Sequence, residues 1–304
     1  MLDVIVLGSA AGGGFPQWNS AAPACLRAYN RQGTKPRTQA SIAVSADGQH
    51  WFLINASPDL RQQILSTPAL QHKGSHRGTP IQGVILTGAE IDTTVGLFTM
   101  REREPFTLMA SASSLAQLDA NPMFEALDRE LVTRYQLPLK KPISLTLKDG
   151  QPSGLTLEAF PVPGKAPLYA EKNGTNLDDS LGLSISDGQK TLLYVPGCAH
   201  INDELLQRVA TADLFFFDGT LWQDDEMVRA GLSMKTGHRM GHVSVSGDDG
   251  PLRNFAEHPN LRKVLIHINN SNPILLEDTP QRRMVEDAGW IVAEDGMTFR
   301  LEAA

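Results

Sequence analysis

Acidic and imidazole side chains recur directly after apolar, strand-like runs of this sequence. They are Glu90, Asp92, His200, Asp218 and His267. Ligands and catalytic groups gather where a rigid strand ends at solvent. A carboxylate directly after the run 215–217 costs free energy unless it is paired or metal-bound. Carboxylates with imidazoles suit a hard or borderline cation, and two histidines with one carboxylate form the facial arrangement of non-haem Fe(II) oxygenases. The recurrence therefore favours a metal site, although Asp218 as a turn cap and His267 as a core histidine are alternatives.

Two further polar segments could contribute to such a site. Residues 235–247 place His238 and His242 four positions apart, but the glycines around them favour a loop, so the two rings need not share a face. Residues 267–273 place amides after a strand, where they could bind a polar ligand or form Asx turns before Pro273. The glycine-rich opening, GSAAGGG, lacks the features of a phosphate-binding loop and indicates a tight turn after a strand.

The elements that would position these groups are short and alternate along the chain. Strand-like runs occur at 4–7, 41–44, 51–55, 83–86, 144–147, 156–160, 182–185, 191–195, 214–217, 264–268, 290–293 and 298–301. Helical patterns occur at 113–135, 203–210, 252–258 and 280–287, and another begins with Ser57 as N-cap and Pro58 as the first helical residue. One architecture that suits this order is an α/β four-layer sandwich, which periodicity alone does not separate from a doubly wound sheet.

Composition excludes several classes of function. The 304 residues are 41% hydrophobic and carry a net charge of -7 without a basic stripe, which argues against a nucleic-acid partner. Two distant cysteines, Cys25 and Cys198, give no disulfide framework and fit a reducing compartment. The apolar N-terminal run is too short to span a bilayer and lacks a basic region before it. A cytoplasmic protein without membrane insertion is therefore expected.

Six long segments resemble those of the pyrroloquinoline quinone (PQQ) biosynthesis protein B family. They are GSAAGGGFPQWN, RTQASIAVSADG, LINASPDLRQQI, FFDGTLWQDDEM, KTGHRMGHVSVSG and HINNSNPILLEDTPQR. The resemblance runs from residue 4 to residue 302 and implies a metallo-β-lactamase-like αββα sandwich, a single domain over residues 1–304. It also implies that Glu90 and Asp92 occupy the first metal-binding motif, Asp218 the bridging-carboxylate position, and His242 and His267 the late histidine positions.

The chain departs from the family pattern at two places. The family's Cys-x-Cys-x-x-Cys knuckle, which binds a structural zinc, reads Ser20, Ala22 and Cys25 here, so no structural zinc is expected. The family's Asp-His in the first motif reads Asp92-Thr93, which removes one imidazole. A more carboxylate-rich site should favour harder ions such as Mg²⁺ or Mn²⁺ and weaken retention of Fe(II).

The resemblance implies an iron-dependent oxygenase that hydroxylates the tyrosine moiety of a Glu-Tyr-derived precursor. In this hypothesis Asp92 and His267, the catalytic pair, hold a divalent metal, foremost Fe(II), together with His242 or Glu90. Arg239, Asn269 and Asn270 are candidates to bind the small precursor, since an arginine fork matches carboxylates. Other PQQ biosynthesis proteins are conceivable partners. The alternative is a carrier for PQQ or its precursor, involved in transport to the periplasm, and a hydrolase would follow from fold analogy only.

Overall fold

The computed structural model describes residues 1–72, 76–258 and 260–302 and contains two seven-stranded β-sheets. The strands of the first sheet are β1 (Leu2–Gly8), β2 (Ser41–Ser45), β3 (Trp51–Ile54), β4 (Ile81–Ile85), β5 (Phe106–Ala110), β6 (Val132–Gln136) and β14 (Thr298–Leu301). Those of the second are β7 (Ile143–Thr146), β8 (Pro152–Pro161), β9 (Leu181–Ser186), β10 (Thr191–Val195), β11 (Leu214–Asp218), β12 (Arg262–Ile266) and β13 (Trp290–Val292).

The helices of the described residues are short. They are α1 (Pro23–Tyr29), α2 (Leu60–Ser66), α3 (Ile91–Thr94), α4 (Ala112–Asp119), α5 (Asp203–Val209), α6 (Glu226–Arg229), α7 (Gly237–Met240), α8 (Pro251–Asn254) and α9 (Pro280–Asp287). Single 3-10 turns lie at Pro68–Leu70, Val95–Met100, Pro122–Ala126, Leu168–Asn173 and Pro273–Leu275. Over the part of the chain that is described, no helix combines the length and the apolar character needed to cross a bilayer.

Each sheet is antiparallel on one side and parallel on the other. The first runs β14-β1-β2-β3-β4-β5-β6, with parallel pairing from β3 to β6. The second runs β13-β12-β11-β10-β9-β8-β7, with parallel pairing from β10 to β13. Strands β10, β11 and β12 are buried over nearly their whole length, as expected for parallel strands covered on both faces. Their carboxyl ends meet at one edge, and this edge carries the candidate site.

Three hydrophobic clusters define four layers. One cluster joins the facing sides of the two sheets, for example Ile42 and Phe52 with Leu183 and Phe216. A second packs the outer side of the first sheet against helices such as α2 and α4, and a third packs the outer side of the second sheet against α5 and α9. The αββα sandwich is therefore confirmed.

All twelve sequence-predicted strands are present, but one predicted helix was largely wrong. Residues 113–135 form α4, a 3-10 turn that begins at Pro122, and then strand β6, which pairs with an unpredicted strand, β5. Proline ends the helical run because it lacks the N–H that a continuing helix needs. The helix predicted over 252–258 is only α8. The helix expected from Ser57 begins at Leu60, because the Ser57 hydroxyl accepts a bond from the Asp59 N–H in the turn before it.

Candidate metal centre

Asp218 is a fully buried carboxylate at the end of β11. Its Oδ1 accepts bonds from the N–H and the hydroxyl of Thr220, at 3.0 and 2.6 Å. Its Oδ2 accepts a bond from the N–H of Cys198 at 2.9 Å and lies 2.7 Å from Nδ1 of His242. A carboxylate is tolerated at such a depth only when it is fully partnered. The predicted alternative, a turn cap, is therefore part of its role, since Thr220 lies in the turn that follows.

His242 and His267 join Asp218 in a compact cluster, named here the Asp218 cluster. One ligand atom from each of the three residues lies within 4.8 Å of the other two. The two imidazole rings are stacked, with centroids 5.2 Å apart and an interplanar angle of 21°. His267 follows β12 directly, and the register of β11 with β12 places Asp218 opposite Ile266. Residues far apart in sequence thus meet because their strands are neighbours.

His267 has a left-handed backbone conformation, with φ of +58°. This region is uncommon for residues other than glycine, and strained residues of this kind cluster at functional sites. The ring is held at both nitrogens, because Nδ1 lies 2.8 Å from the Thr220 hydroxyl and Nε2 lies 3.0 Å from Oδ2 of Asp92. Sequence reasoning missed Thr220, whose only signal was its position two residues after the strand-end Asp218.

Asp92 reaches the cluster from the opposite sheet. It lies in α3, in the loop that follows β4, and its side chain and that of His267 are each only 15% exposed. The glycine-rich turn after β1 passes beside it, since a Cβ on Gly12 would lie 3.4 Å from the Asp92 carboxylate. The turn therefore brings backbone close to the site, and an added Cβ at this position would be in van der Waals contact with Asp92.

The pKa values of this site are governed by burial and by ion pairing in opposite directions. Burial would raise the pKa of Asp92, but the hydrogen bond to His267 and the charges of His267 and His242 together outweigh burial and leave that pKa lowered. Burial would lower the pKa of His267, but the hydrogen bond to Asp92 and the charges of Asp92, Asp218 and Glu90 together outweigh burial and leave that pKa raised. The pKa of Asp218 is likewise lowered, because His242 overcomes the effect of burial. Without an ion, the arrangement favours ionised carboxylates paired with a protonated His267, and a cation bound at the site would take the place of that proton.

Glu90 and Thr93, beside Asp92 in the loop, point to other partners. The Glu90 carboxylate forms an ion pair with Lys165 at 2.9 Å and accepts a bond from the Leu168 N–H at 3.3 Å. It lies outside the Asp218 cluster, so its role as a metal ligand stays a prediction. The Thr93 hydroxyl is within bonding distance of the carbonyl oxygens of Gly88 and Glu90, at 3.0 and 2.8 Å. The Thr93 hydroxyl therefore stabilises its own loop by bonding to the loop backbone.

The predicted precursor-binding residues differ in their exposure and in whether their polar groups already have partners in the protein. Arg239 is exposed on α7, and its guanidinium makes no ion pair with any described residue. Asn269 and Asn270 are buried and bonded internally, Asn269 to Ser271 at 2.6 Å and Asn270 to Gln17 at 2.7 Å. Their roles in binding stay predictions.

Three more sequence candidates lie apart from the Asp218 cluster. His200 and His238 are exposed, although His238 does sit in α7, a short helix where a loop was expected. Gly241 ends that helix in a left-handed conformation and redirects the chain into His242. Cys25, the remaining thiol of the substituted knuckle, is buried, with its Sγ 3.8 Å from Oδ1 of Asn270. The structure thus brings together His242, but not His238, with the strand-end residues.

Comparison with known proteins first defines the class. The model of the β-lactamase superfamily domain matches residues 50–268. A diphosphatase of the PhnP family shares the fold, with a TM-score of 0.69 over 100% of this chain and 99% of that one, at 18% identity. The chain is thus a β-lactamase superfamily protein, and its fold is shared with that diphosphatase.

Closer relatives define the family. The coenzyme PQQ synthesis protein B of Gluconobacter oxydans is 68% identical over 302 residues, 99% of both chains, and that of Xanthomonas campestris is 52% identical over 99% of this chain and 100% of its own. The crystal structure of Zn²⁺-bound PqqB from Methylobacterium extorquens superposes with a TM-score of 0.93 at 43% identity, over 98% of this chain and 100% of that chain. The chain belongs to the coenzyme PQQ synthesis protein B (PqqB) family.

Proposed function

We propose that this chain, whose family acts in PQQ biosynthesis, is a metal-dependent oxygenase that hydroxylates the tyrosine moiety of a Glu-Tyr-derived precursor. The observation that carries the proposal is the Asp218 cluster, with Asp92 bound to its His267 at 3.0 Å. Two carboxylates and two imidazoles that meet in a largely buried cluster suit a divalent cation.

The donor set fits such an ion. Asp218 is fully buried, and the net cost of burying its charge is offset by a cation better than by neutral donors alone. Asp92, Asp218, His242 and His267 would hold the ion, and the zinc in the solved relative supports a divalent metal. Fe(II) is the ion that the proposed reaction requires, with Mg²⁺ or Mn²⁺ as harder alternatives. Bound Fe(II) would supply the redox chemistry by which O₂ is activated.

The protein's own residues hold the His267 ring in place and offer a binding group for the precursor. Thr220 and Asp92 fix the ring of His267 from its two nitrogens, so the imidazole cannot rotate away from the site. Arg239 lies on α7, three positions before His242 in the chain, and offers an exposed guanidinium for a carboxylate of the precursor. Its exposure keeps it free to pair when the precursor arrives.

Anaerobic reconstitution with Fe(II), followed by measurement of oxygen uptake with the precursor, tests the reaction. We expect precursor-dependent oxygen uptake and a hydroxylated product in the unmodified protein, and loss of both in Asp92→Ala. The matched control is Asp248→Ala, since Asp248 is an exposed carboxylate paired with Arg253 on the surface. Oxygen uptake that is equal in Asp92→Ala and in the unmodified protein would contradict the oxygenase role.

A carrier for PQQ or its precursor is the second candidate function, and the hydrogen bonds of Thr93 favour it. Its hydroxyl is bonded to the backbone of its own loop, so the imidazole that the family carries there is not replaced by another donor facing the site. A carrier would bind PQQ without needing a metal. Metal content of the purified protein, set against PQQ binding measured by tryptophan fluorescence, separates the two functions. Tight PQQ binding to metal-free protein supports the carrier.

A further inference from the structure

A loop between β8 and β9 touches both loops that carry candidate ligands. Residues 163–173, named here the strap, include Lys165 and the 3-10 turn Leu168–Asn173. The aliphatic stem of Lys165 packs at Gly241, where an added Cβ would lie 3.3 Å from its Cγ, and His242 follows Gly241 in the chain. The carbonyl oxygen of Pro163 accepts a bond from the Ala199 N–H at 2.7 Å, next to Cys198, which binds Asp218. The strap thus lies along the ligand-bearing side of the second sheet.

Glu90 fastens this strap to the loop that carries Asp92. Its two carboxylate oxygens are used separately, Oε1 by the Lys165 ammonium at 2.9 Å and Oε2 by the Leu168 N–H at 3.3 Å. The Tyr169 hydroxyl adds a 2.6 Å bond to the carbonyl oxygen of Ala89. Lys165 also lies 3.5 Å from Glu171, which pairs with Lys235 at 3.1 Å. Alternating charges therefore run from the loop of Asp92 across the strap to the segment that precedes α7.

We propose that Glu90 is a positioning residue, which latches the strap across the metal-site loops and does not bind the ion itself. A metal ion on the Glu90 carboxylate would be repelled by the Lys165 ammonium that already contacts it. The assignment rests on the proposed metal site but not on the oxygenase reaction. In this view Glu90 and Asp92, two residues apart, have separate tasks: Asp92 contacts the cluster, and Glu90 holds the strap to the loop that carries Asp92.

The contacts between Glu90 and the strap are weak enough to break and re-form. The ion pairs among them are partly exposed, and such pairs hold weakly when taken singly. On the strap, Leu168 and Tyr169 are 58% and 47% exposed, whereas Ala166 and Ala170 are buried, so the fastening side chains can separate more easily than the small residues that anchor the strap. Release of Lys165 and Leu168 from Glu90, and of Tyr169 from Ala89, would separate the strap from the loop of Asp92 while Asp218, His242 and His267 keep their own hydrogen bonds.

Hydrogen–deuterium exchange of the strap and titration with Zn²⁺, both on the full chain, test the proposal. Glu90→Gln, Lys165→Gln and the double variant form a cycle, and Tyr169→Phe removes the second fastening without changing charge. We expect each single variant to speed exchange of strap amides by roughly two- to fivefold. The double variant should be little faster than Glu90→Gln alone, because both substitutions break the same pair. The affinity for Zn²⁺ should stay within about twofold of the unmodified protein in all four.

Glu125→Gln and Tyr135→Phe are the matched controls, because both residues are exposed on the surface away from the strap. Neither should alter strap exchange or affinity for Zn²⁺. A tenfold or greater loss of Zn²⁺ affinity in Glu90→Gln, with strap exchange unchanged, would show that Glu90 is a ligand and overturn the proposal. Unchanged exchange in both Glu90→Gln and Tyr169→Phe would overturn it too. Neither readout uses oxygen or the precursor, so failure of the oxygenase reaction would leave these results intact.

Discussion

A single hydroxyl group connects the residues of the Asp218 cluster. The Thr220 Oγ1 lies 2.6 Å from Oδ1 of Asp218, 2.8 Å from Nδ1 of His267 and 3.1 Å from Nδ1 of His242. One hydroxyl carries one proton, so it donates to one of these atoms at a time and accepts from another. Thr220 therefore fixes the orientation of both rings, as partners behind metal ligands commonly do.

Substitution of Thr220 by valine tests this role at nearly constant side-chain volume. We expect Thr220→Val to weaken Zn²⁺ binding by about 10- to 100-fold, since the rings lose the group that orients them. Competition titration against a chelator of known affinity measures the change. Thr220→Ser, which keeps the hydroxyl, should bind within a few-fold of the unmodified protein. Equal affinities in the valine and serine variants would rule out the orienting role.

Glu226 provides a pH-dependent prediction away from the cluster. It accepts bonds from the Trp222 and Gln223 N–H groups and from the Ser271 hydroxyl, at 2.7, 3.0 and 2.6 Å. Burial nevertheless raises its pKa above the ordinary value of 4.5. The folded protein then binds this proton more tightly than the unfolded chain does. The stabilising contribution of the proton is complete below the unfolded pKa and is lost as pH rises through the folded pKa.

We therefore expect the free energy of unfolding of the unmodified protein, relative to Glu226→Gln, to fall as pH rises from about 4.5 towards neutrality. Urea unfolding curves for both proteins across this range give the difference. Glu102→Gln serves as the control, because Glu102 is exposed on the surface. A difference that is flat, or that grows with pH, would contradict the raised pKa.

At the scale of residues, the sequence predicted which residues belong to the site better than it predicted the contacts between them. Asp218 and His267 were identifiable because each ends an apolar run, and a charge there requires a partner. The contact between Asp92 and His267 joins residues 175 positions apart, across two sheets. Local pattern carries no information on such a pairing. The family resemblance, not periodicity, joined these residues into one hypothetical site.

At the scale of elements, residues 113–135 show where helical periodicity misleads. Strand β6 lies at the edge of the first sheet and only its first residue, Val132, is buried. An edge strand with one covered residue has no alternating apolar pattern to reveal it. Its Arg134 contacts Asp119 at the end of α4, and its register is set by β5. Such tertiary pairing overrides local propensity.

Helix α4 gives the element-scale prediction. Leu118 is fully buried beneath the outer side of the first sheet, remote from the cluster. We expect Leu118→Ala to lower the free energy of unfolding by about 2–5 kcal/mol through lost burial and a residual cavity. Affinity for Zn²⁺ should not change. In the same helical region Met123 is 69% exposed, and Met123→Ala should change stability by less than about 0.5 kcal/mol. Denaturant unfolding of both variants measures the contrast, and similar losses would show that the packing assigned to α4 is wrong.

At the scale of the whole molecule, the site lies where the two sheets meet. Asp92 follows β4 of the first sheet, whereas Asp218 and His267 end β11 and β12 of the second. The sandwich is αββα because each sheet has one side to bury against the other and one to cover with helices. Both parallel halves direct their carboxyl ends to this edge, so an ion bound there would cross-link the two sheets at the point where their loops face each other.

This geometry predicts that Zn²⁺ stabilises the whole fold. An ion that binds the folded state alone adds about 2.7 kcal/mol to the free energy of unfolding at a free concentration 100 times its Kd. Thermal unfolding of chelator-stripped protein, with and without Zn²⁺, should show this as a rise in Tm of about 4 °C, since an unfolding entropy of about 2.1 cal/mol/K per residue makes the shift about 1.6 °C per kcal/mol for 304 residues. Asp92→Ala removes the contribution of the first sheet and should lose most of the rise, whereas the surface variant Asp248→Ala should keep it. If Asp92→Ala showed the full rise, the ion would be held by the second sheet alone, and the cross-link between the sheets would be excluded.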